Sequence, residues 1–441
     1  MQPSPIKSLT QFLRAAAHLQ PREFVTAGRT LGKWSLLGAA AGVLAGLASA
    51  LFLLSLKWAT DMREAHPELL FALPIAGMLL GWFYQRYAGA AALGNNLVLE
   101  EIHSNTARIP RRMAPMILAG TVLTHLFGGS AGREGAALQM GASLADALRQ
   151  LLKLNRHDRR LLLMAGVSSG FGSVFGAPAA GFVFGMEVQA LGRMRYEGLI
   201  PCLVAAFVGD LVVRGLGVPH AQYPAAPIIG TDGILLLKVA LAGVACGLSS
   251  LLFIELTHAI RHGLSRVRQP LLRPAIGGIA VIALTLLAGT QDYLGLSLPL
   301  IERSVRGETV LAAAFALKLL FTAITLGSGF LGGEVTPLFV IGAALGNVLG
   351  RALGVDPGLM AMLCFVAVFA GASNTPLACA LMGVELFGGG ALIYGVVACA
   401  IAYLTSGHRG IYSTQRIGTA KSHHFDARED ETLWAHADRQ R

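Results

Sequence analysis

The sequence predicts an all-α polytopic membrane protein with two repeated halves, whose discontinuous helices of unequal length meet at a central anion site. Composition is the first reason: of 441 residues, 54% are apolar and only 14% are charged, against about 25% charged in soluble domains. The second is a series of mainly apolar runs, at 34–56, 71–83, 113–131, 161–186, 199–209, 234–254, 274–289, 309–333, 335–350, 357–384 and 386–407. A helix needs about 20 such residues to cross a bilayer. Several runs meet that length and others are shorter, often interrupted by Gly or Pro.

Charge patterning predicts the domain organisation. Residues 1–33 form a basic, amphipathic segment without the pattern of a cleavable signal, and 34–415 form the membrane domain, with halves at about 34–216 and 234–415. A polar tail occupies 416–441, and its part from Ser422 onward is expected to be mobile. The basic start and the basic loops 153–160 and 261–273 place both termini in the cytoplasm by the positive-inside rule. The net charge of +10 therefore reflects topology, and nucleic acid is excluded as a partner because no soluble basic face is present.

An internal repeat is the third reason for the predicted fold. The stretch 121–144 aligns with 322–345, and 176–192 aligns with 374–390. Among the matched pairs are Gly132 with Gly333, Pro178 with Pro376, and Glu187 with Glu385. Transporters built from such repeats bind their substrate where discontinuous helices from the two halves meet. The sequence alone leaves open whether the halves are inverted.

Two Gly-rich breaks, 128–136 and 329–337, lie at matching places in the repeat, and each holds a carboxylate, Glu134 or Glu334. A buried carboxylate costs several kcal/mol unless it is paired, hydrated or protonated, so both residues are candidates for function. Each break precedes a helical pattern, and Pro337 suits a first helical turn. Helix N-termini that face each other can bind an anion through backbone N–H groups. The alternative is that the glycines only allow helices to pack closely.

These residues resemble motifs of the CLC family of anion channels and proton-coupled antiporters. "GREGA" (132–136) is similar to the family's GREGP, "GEVTP" (333–337) stands at its GxFxP motif, and "GNNLV" (94–98) stands at its GSGIP motif. "RGIYS" (409–413) resembles the segment with the central tyrosine. The resemblance spans about 34–415 in the right order. Asn95 in place of serine, together with GEVTP, resembles the fluoride/proton antiporter branch, whereas a chloride/proton antiporter or chloride channel is the alternative within the fold.

The resemblance implies a role for each matched residue. Glu134 corresponds to the gating glutamate, which occupies the anion site as a carboxylate and swings away when protonated; an ion pair with Arg133 is the alternative. The Asn95 amide, the backbone N–H groups of Glu334 and Val335, and the Thr336 hydroxyl would bind fluoride, with Tyr412 closing the cytoplasmic side. Thr336 as a helix cap is the alternative. Gly132, Gly135 and Gly333 would support this site.

The resemblance also bears on proton movement and assembly. Chloride/proton exchangers carry a relay glutamate where this chain has Val188, with Glu187 before it, and Glu334 would offset that loss. The alternative for Glu334 is a residue favoured by the helix dipole. We expect a homodimer in a bacterial plasma (inner) membrane, with the lipid bilayer, fluoride and protons as partners and no cofactor.

Other chemistry is weakly supported. "GGSAG" (128–132) and "GVSSG" (166–170) match the G-x-S-x-G hydrolase motif, which needs a strand–turn–helix context, so an intramembrane hydrolase is a remote alternative and no catalytic residue is assigned. Glu100, Glu101 and His103 read as a solvated loop or helix end rather than a metal site, and His125 and Asp146 as packing groups. The five cysteines lie in apolar segments at spacings that fit no metal site or disulfide framework.

Overall fold

The computed structural model describes residues 21–422 and 427–439, with side chains from residue 24 onward, so the first part of the predicted N-terminal segment lies outside the described residues. In the first half the helices are α1 (Pro21–Ala65), α2 (Leu73–Tyr87), α3 (Asn95–Ser104), α4 (Met113–Leu126), α5 (Glu134–Leu152), α6 (Arg156–Phe175), α7 (Pro178–Glu187) and α8 (Leu199–Gly215). The second half contains α9 (Gly233–Ser265), α10 (Leu272–Ala288), α11 (Leu298–Val305), α12 (Ala314–Gly327), α13 (Val335–Leu353), α14 (Pro357–Ser373), α15 (Pro376–Phe387) and α16 (Leu392–Thr405). Four 3₁₀ turns, Pro67–Ala72, Gly89–Leu93, Tyr196–Gly198 and Gly389–Ala391, connect them.

The remaining elements are β1 (Ala190–Leu191), β2 (Arg416–Ile417) and the tail helix α17 (Leu433–Arg439). The two strands pair in parallel, with Ala190 opposite Arg416. The prediction of a mobile tail is wrong for 427–439, because the short sheet and buried side chains such as Leu433 and His436 attach it to the membrane domain. The predicted boundary after residue 33 falls inside the continuous helix α1.

The helices differ in length as the sequence predicts. Within the described part of the chain, five segments are long and apolar enough to cross a membrane: Phe24–Ala65, Pro67–Tyr87, Tyr196–Gly215, Gly233–Ser265 and Val335–Leu353. Six others are apolar but shorter. The run 161–186 divides between α6 and α7 at Gly176, which has φ 71°, and Pro178 then begins α7. The chain is a multi-pass membrane protein.

Close packing at small residues repeats in the two halves. A Cβ on Gly141 of α5 would lie 2.2 Å from the carbonyl oxygen of Gly166 on α6, and a Cβ on Gly342 of α13 would lie 2.2 Å from that of Cys364 on α14. Helix backbones approach this closely only where side chains are absent. Glycine therefore allows close helix packing at these helix pairs, outside the two breaks.

The halves have inverted topology. The start of α1 lies beside the start of α6, through an ion pair between Lys33 and Asp158 at 2.7 Å. The end of α8 lies beside the end of α6, because Arg214 donates to the carbonyl of Gly176 at 3.1 Å, so α9, which follows α8, starts on the opposite face. The C-terminal part of α9 meets the tail through Glu255 and Arg409 at 3.0 Å. The tail in turn reaches the start of α6 through the pairs Arg416–Glu100 at 3.5 Å and Arg159–Glu101 at 3.0 Å. Equivalent helices α1 and α9 thus run in opposite directions. The face that carries the start of α1, the end of α9 and the tail is called the tail face below.

Candidate functional site

The two Gly-rich breaks meet at the centre of the protein. The N–H of Gly132 donates to the carbonyl of Gly333 at 2.7 Å, and the N–H of Gly333 donates to that of Gly132 at 2.8 Å. This antiparallel bridge joins residues that the repeat makes equivalent, so the two-fold axis between the halves passes through it. A Cβ on Gly132 would lie 2.8 Å from Cδ of Pro337. Only glycine allows this approach, which brings the N-termini of α5 and α13 together.

Glu134 is the first residue of α5, and its carboxylate is bound by the opposite helix. The backbone N–H of Thr336 donates to Oε2 of Glu134 at 3.0 Å, and the Thr336 hydroxyl donates to the same oxygen. From its own side, Arg133 donates through its backbone N–H at 3.2 Å and through Nε at 3.3 Å. The alternative ion pair with Arg133 is thus present, but it coexists with the contact to α13. The Glu134 carboxylate therefore accepts hydrogen bonds from donors at the starts of both α5 and α13.

Thr336 does not cap its own helix. It is the second residue of α13, after Val335, and Glu334 is the N-cap residue without a side-chain cap bond. Its hydroxyl reaches across the break instead of back to its own backbone. The plain-cap alternative for Thr336 therefore does not describe this structure.

Asn95 and Tyr412 lie on two further elements that approach the breaks. Asn95 begins α3, and its Nδ2 lies 3.0 Å from where a Cβ on Gly135 would be. Tyr412 is buried, and its ring packs against Phe184 with 6.4 Å between centroids. Among the described residues, neither Oδ1 of Asn95 nor the Tyr412 hydroxyl has a hydrogen-bond partner. Both are buried polar atoms whose desolvation is uncompensated by protein groups.

Two cavities approach these residues from opposite faces. The tail-side vestibule, about 440 Å³, is lined by Asn95, His258, Arg261, Arg273, Glu334 and Ser413, among others. The opposite vestibule, about 550 Å³, reaches Arg133, with Arg63, His220 and Ser297 among its lining residues. Glu334 therefore lies on the tail-side path, in the same cavity as Arg261 and Arg273. The Glu134–Thr336 contact lies between the two routes.

The Glu187 carboxylate has a structural role. Its carboxylate accepts from the N–H groups of Leu377 at 3.1 Å and Ala378 at 2.8 Å, at the start of α15. Reciprocally, Glu385 accepts from Ala179 at 2.9 Å and Ala180 at 2.7 Å, at the start of α7. Each repeat-related carboxylate caps the helix of the other half.

The neighbouring Val188 is fully buried. Its carbonyl accepts from Nε2 of Gln415 at 3.0 Å. Because the residue is a valine, its side chain cannot bind a proton.

Lys318 was missed by reasoning from sequence. It is fully buried in α12 and donates to the hydroxyl groups of Ser130 and Ser297, both at 2.9 Å, and to the carbonyl of Gly295 at 2.8 Å. Ser130 also bonds the Thr322 hydroxyl at 2.9 Å. These bonds fix the first break to the second half of the chain. A lysine inside the apolar run 309–333 was the available signal.

Three polar residues discussed in the sequence analysis have ion-pair or hydrogen-bond partners in the structure. The expectation of a solvated Glu101 is wrong: it is buried and pairs with Arg159 at 3.0 Å, and the same arginine pairs with Asp146 at 2.5 Å. The ring of His125 contacts the carbonyl oxygens of Thr121 at 2.8 Å and Ala131 at 3.0 Å. Over the part of the chain that the structure describes, no group of His, Cys, Asp and Glu side chains could hold a metal ion.

A family model described as the voltage gated chloride channel matches residues 76–407. The chain belongs to the CLC family. The match extends over most of the two halves and includes both breaks. CLC proteins are ion channels and transporters rather than enzymes. The two G-x-S-x-G stretches agree with this, because 128–132 lies in the first break and 166–170 lies inside α6, neither in a nucleophile-elbow context.

Relatives within the CLC family are similar along nearly the whole chain. A chloride/fluoride channel protein of Pseudomonas syringae pv. tomato is 46% identical, over 89% of this chain and 88% of its own length. An H(+)/Cl(−) exchange transporter, ClcA, of Vibrio parahaemolyticus is 26% identical, over 89% of this chain and 91% of its own length. The crystal structure of a CLC-type fluoride/proton antiporter superimposes with a TM-score of 0.84 at 35% identity, covering 87% of this chain and 97% of that one.

Proposed function

We propose that this protein is a fluoride/proton antiporter that exports fluoride from the cytoplasm in exchange for protons. The observation that carries the proposal is the contact between the Glu134 carboxylate and the donors of Thr336, between two vestibules that open on opposite faces. A carboxylate that occupies the donors of an anion site excludes the anion. Protonation weakens the hold of Glu134 on these donors, so proton uptake by Glu134 frees the site for the anion. The similarity to a CLC-type fluoride/proton antiporter and to a chloride/fluoride channel protein supports fluoride as the anion.

The donor groups suit a small anion that accepts hydrogen bonds strongly. In this proposal fluoride binds to the Asn95 amide, to the Thr336 hydroxyl, and to the backbone N–H groups of Glu334 and Val335. Tyr412 closes the path toward the tail face. Fluoride is strongly hydrated, so only good donors offset its dehydration, and an amide offers two N–H groups. Gly132, Gly135 and Gly333 keep space free so that these groups converge.

Glu334 carries the proton on the tail side in this scheme. It lines the vestibule that opens on that face, and Arg261 lies in the same vestibule. Glu187 is unsuited to the task, because both of its oxygens accept N–H bonds from α15. Protons would therefore move between Glu334 and Glu134, whereas the anion binds to the backbone of the same helix start.

The tail face is cytoplasmic in this proposal. The start of α1 and the basic loops 153–160 and 261–273 all lie on it, and an excess of Lys and Arg marks the cytoplasmic side of membrane proteins. Both termini are then cytoplasmic. We also propose a homodimer in a bacterial plasma membrane, each subunit with its own path, as the family resemblance implies, and the division into N-terminal segment, membrane domain and tail stays a prediction.

The test is ion efflux from liposomes that contain the purified protein and equal concentrations of fluoride and chloride, with external pH recorded. We expect fluoride efflux far above chloride efflux, with protons driven uphill in the opposite direction. Glu134→Gln replaces the carboxylate with an amide that cannot take up a proton, and it should abolish the coupling. Proton-coupled efflux of chloride at the fluoride rate would instead identify a chloride/proton antiporter. Fluoride efflux of the unaltered protein without proton movement would contradict antiport.

A further inference from the structure

The tail is bonded to the segment that carries Tyr412. At the start of α17 the N–H of Leu433 donates to the carbonyl of Gln415 at 3.0 Å, and the N–H of Trp434 donates to that of Ser413 at 2.9 Å. The Leu433 side chain is 3% exposed, and its Cδ1 lies 2.9 Å from where a Cβ on Gly410 would be. The tail helix thus holds the chain on both sides of Tyr412.

The same segment is fixed from the membrane side through Gln415. Its Nε2 donates to the carbonyls of Val188 at 3.0 Å and Ser373 at 3.2 Å, and its Oε1 accepts from Nδ2 of Asn374 at 3.0 Å. These partners end α7 and α14. The Tyr412 segment is therefore clamped between the membrane domain and the tail, and the tail supplies the side that faces away from the bilayer.

The tail also forms a wall of the entrance to the tail-side vestibule. A cavity of about 650 Å³, here called the mouth, lies between the end of α9 and α17. Trp434 and Asp438 line it from the tail, opposite Arg409 on the other side. Arg261, His258 and Ser413 line both the mouth and the vestibule. The mouth and the vestibule therefore adjoin on this face, and the tail helix borders the mouth.

We propose that residues 427–439 belong to the gate on the tail face, where they hold Tyr412 in its closed position and narrow the mouth. The inference rests on the proposed function, because it assigns the tail a role in coupling fluoride to protons. When the tail is undocked, the Tyr412 segment loses one of its two sides and opens without waiting for Glu134 to take up a proton. Fluoride then passes with fewer protons exchanged.

The test compares two substitutions that add the same charge at neighbouring positions. Leu433→Asp places a carboxylate on a buried side chain and undocks the helix. Trp434→Asp places it on a side chain that is 62% exposed and leaves the Leu433 contact intact, so it measures what a carboxylate and a shorter side chain at the mouth do to fluoride entry while the helix stays docked. Truncation after Ser422 removes the docking helix by a second route. All proteins are reconstituted as full membrane domains, and fluoride and proton fluxes are measured together.

We expect Leu433→Asp and the truncated protein to move at least twofold fewer protons per fluoride than Trp434→Asp, at equal or higher fluoride flux. An unchanged ratio in both, or loss of folded protein in both, would overturn the role in gating and leave the tail a folding element. The unaltered protein separates the two proposals. If it couples fluoride to protons while the variants keep its ratio, only the tail proposal fails; if it does not couple, the antiporter proposal itself fails.

Discussion

Removal of the Thr336 hydroxyl tests the centre of the site. Thr336→Val keeps the size and shape of the side chain and the backbone N–H at 3.0 Å from Oε2 of Glu134, but it removes the second donor to that oxygen. A hydrogen bond to a charged group contributes about 1.5–3 kcal/mol, which corresponds to a factor between about 10 and 150 in an equilibrium constant. The docked state of the Glu134 carboxylate should lose that much.

The same donor serves the anion in the proposed mechanism, so fluoride also loses binding energy. Chloride is larger and accepts hydrogen bonds more weakly, and if it loses about half as much, the difference is roughly 1 kcal/mol, or about a fivefold fall in fluoride preference. The assay is the ratio of initial fluoride and chloride efflux rates from liposomes loaded with both anions. Thr336→Ser, which retains the hydroxyl, is the matched control. If valine and serine variants select equally, the Thr336 hydroxyl does not contact the transported anion.

Three further predictions concern stability and pH. Gly141→Ala should lower the thermal unfolding temperature in detergent, because the new Cβ would lie 2.2 Å from a backbone oxygen. Gly383→Ala is the control and should leave that temperature unchanged, because its Cβ would lie 3.7 Å from its nearest neighbour. Equal effects of the two substitutions would contradict the close-packing argument. Glu187→Ala should lower the same temperature by the equivalent of about 1–3 kcal/mol, because two N–H groups lose their acceptor, and Glu187→Gln, which keeps one acceptor oxygen, should fall between; a neutral alanine variant would show that the cap contributes nothing. Burial lowers the pKa of Lys421 from 10.5 to about 7. Between these two pH values the docked tail therefore binds fewer protons than an undocked one, so the free energy of docking becomes more favourable as the pH rises, by at most about 1.4 kcal/mol per pH unit. Docking is weakest below about pH 7. Hydrogen exchange of the tail amides, corrected for intrinsic rates, should therefore slow across that range, and Lys421→Met should remove the trend.

Much of the architecture follows from short-range patterns. Apolar runs identify the spans, and Pro178, Pro337 and Pro376 mark helix starts, because proline fits a first turn and interrupts a helix elsewhere. The equivalence of Gly132 and Gly333 is visible as internal similarity. The direction of the second half is not visible in the sequence, because an inverted repeat and a parallel repeat give the same alignment. The antiparallel bridge between the two glycines and the opposite directions of α1 and α9 show that the repeat is inverted.

Residues far apart in the chain have contacts that no local pattern reports. Sequence reasoning assigned a solvated position to Glu101, yet Arg159 pairs with it in the interior. It expected a mobile tail from polar composition, yet backbone bonds from Leu433 and Trp434 hold the described part in place. Polarity predicts exposure only on average, since a buried polar group is tolerated wherever a partner satisfies it.

The sequence by itself determined that this chain spans a membrane in two similar halves, that each half breaks at a glycine-rich helix start, and that Glu134 and Glu334 stand in those breaks. Charge, hydropathy and glycine spacing are properties of neighbouring residues, so they are legible in one dimension. Only the tertiary structure decided that Glu134 is bound by Thr336 of the other half, that Glu187 caps a helix of the other half, and that the tail helix is bonded to the segment around Tyr412. Each of these depends on atoms brought within about 3 Å of one another by folding, which is the distance over which a hydrogen bond, and hence the function of a site, is set.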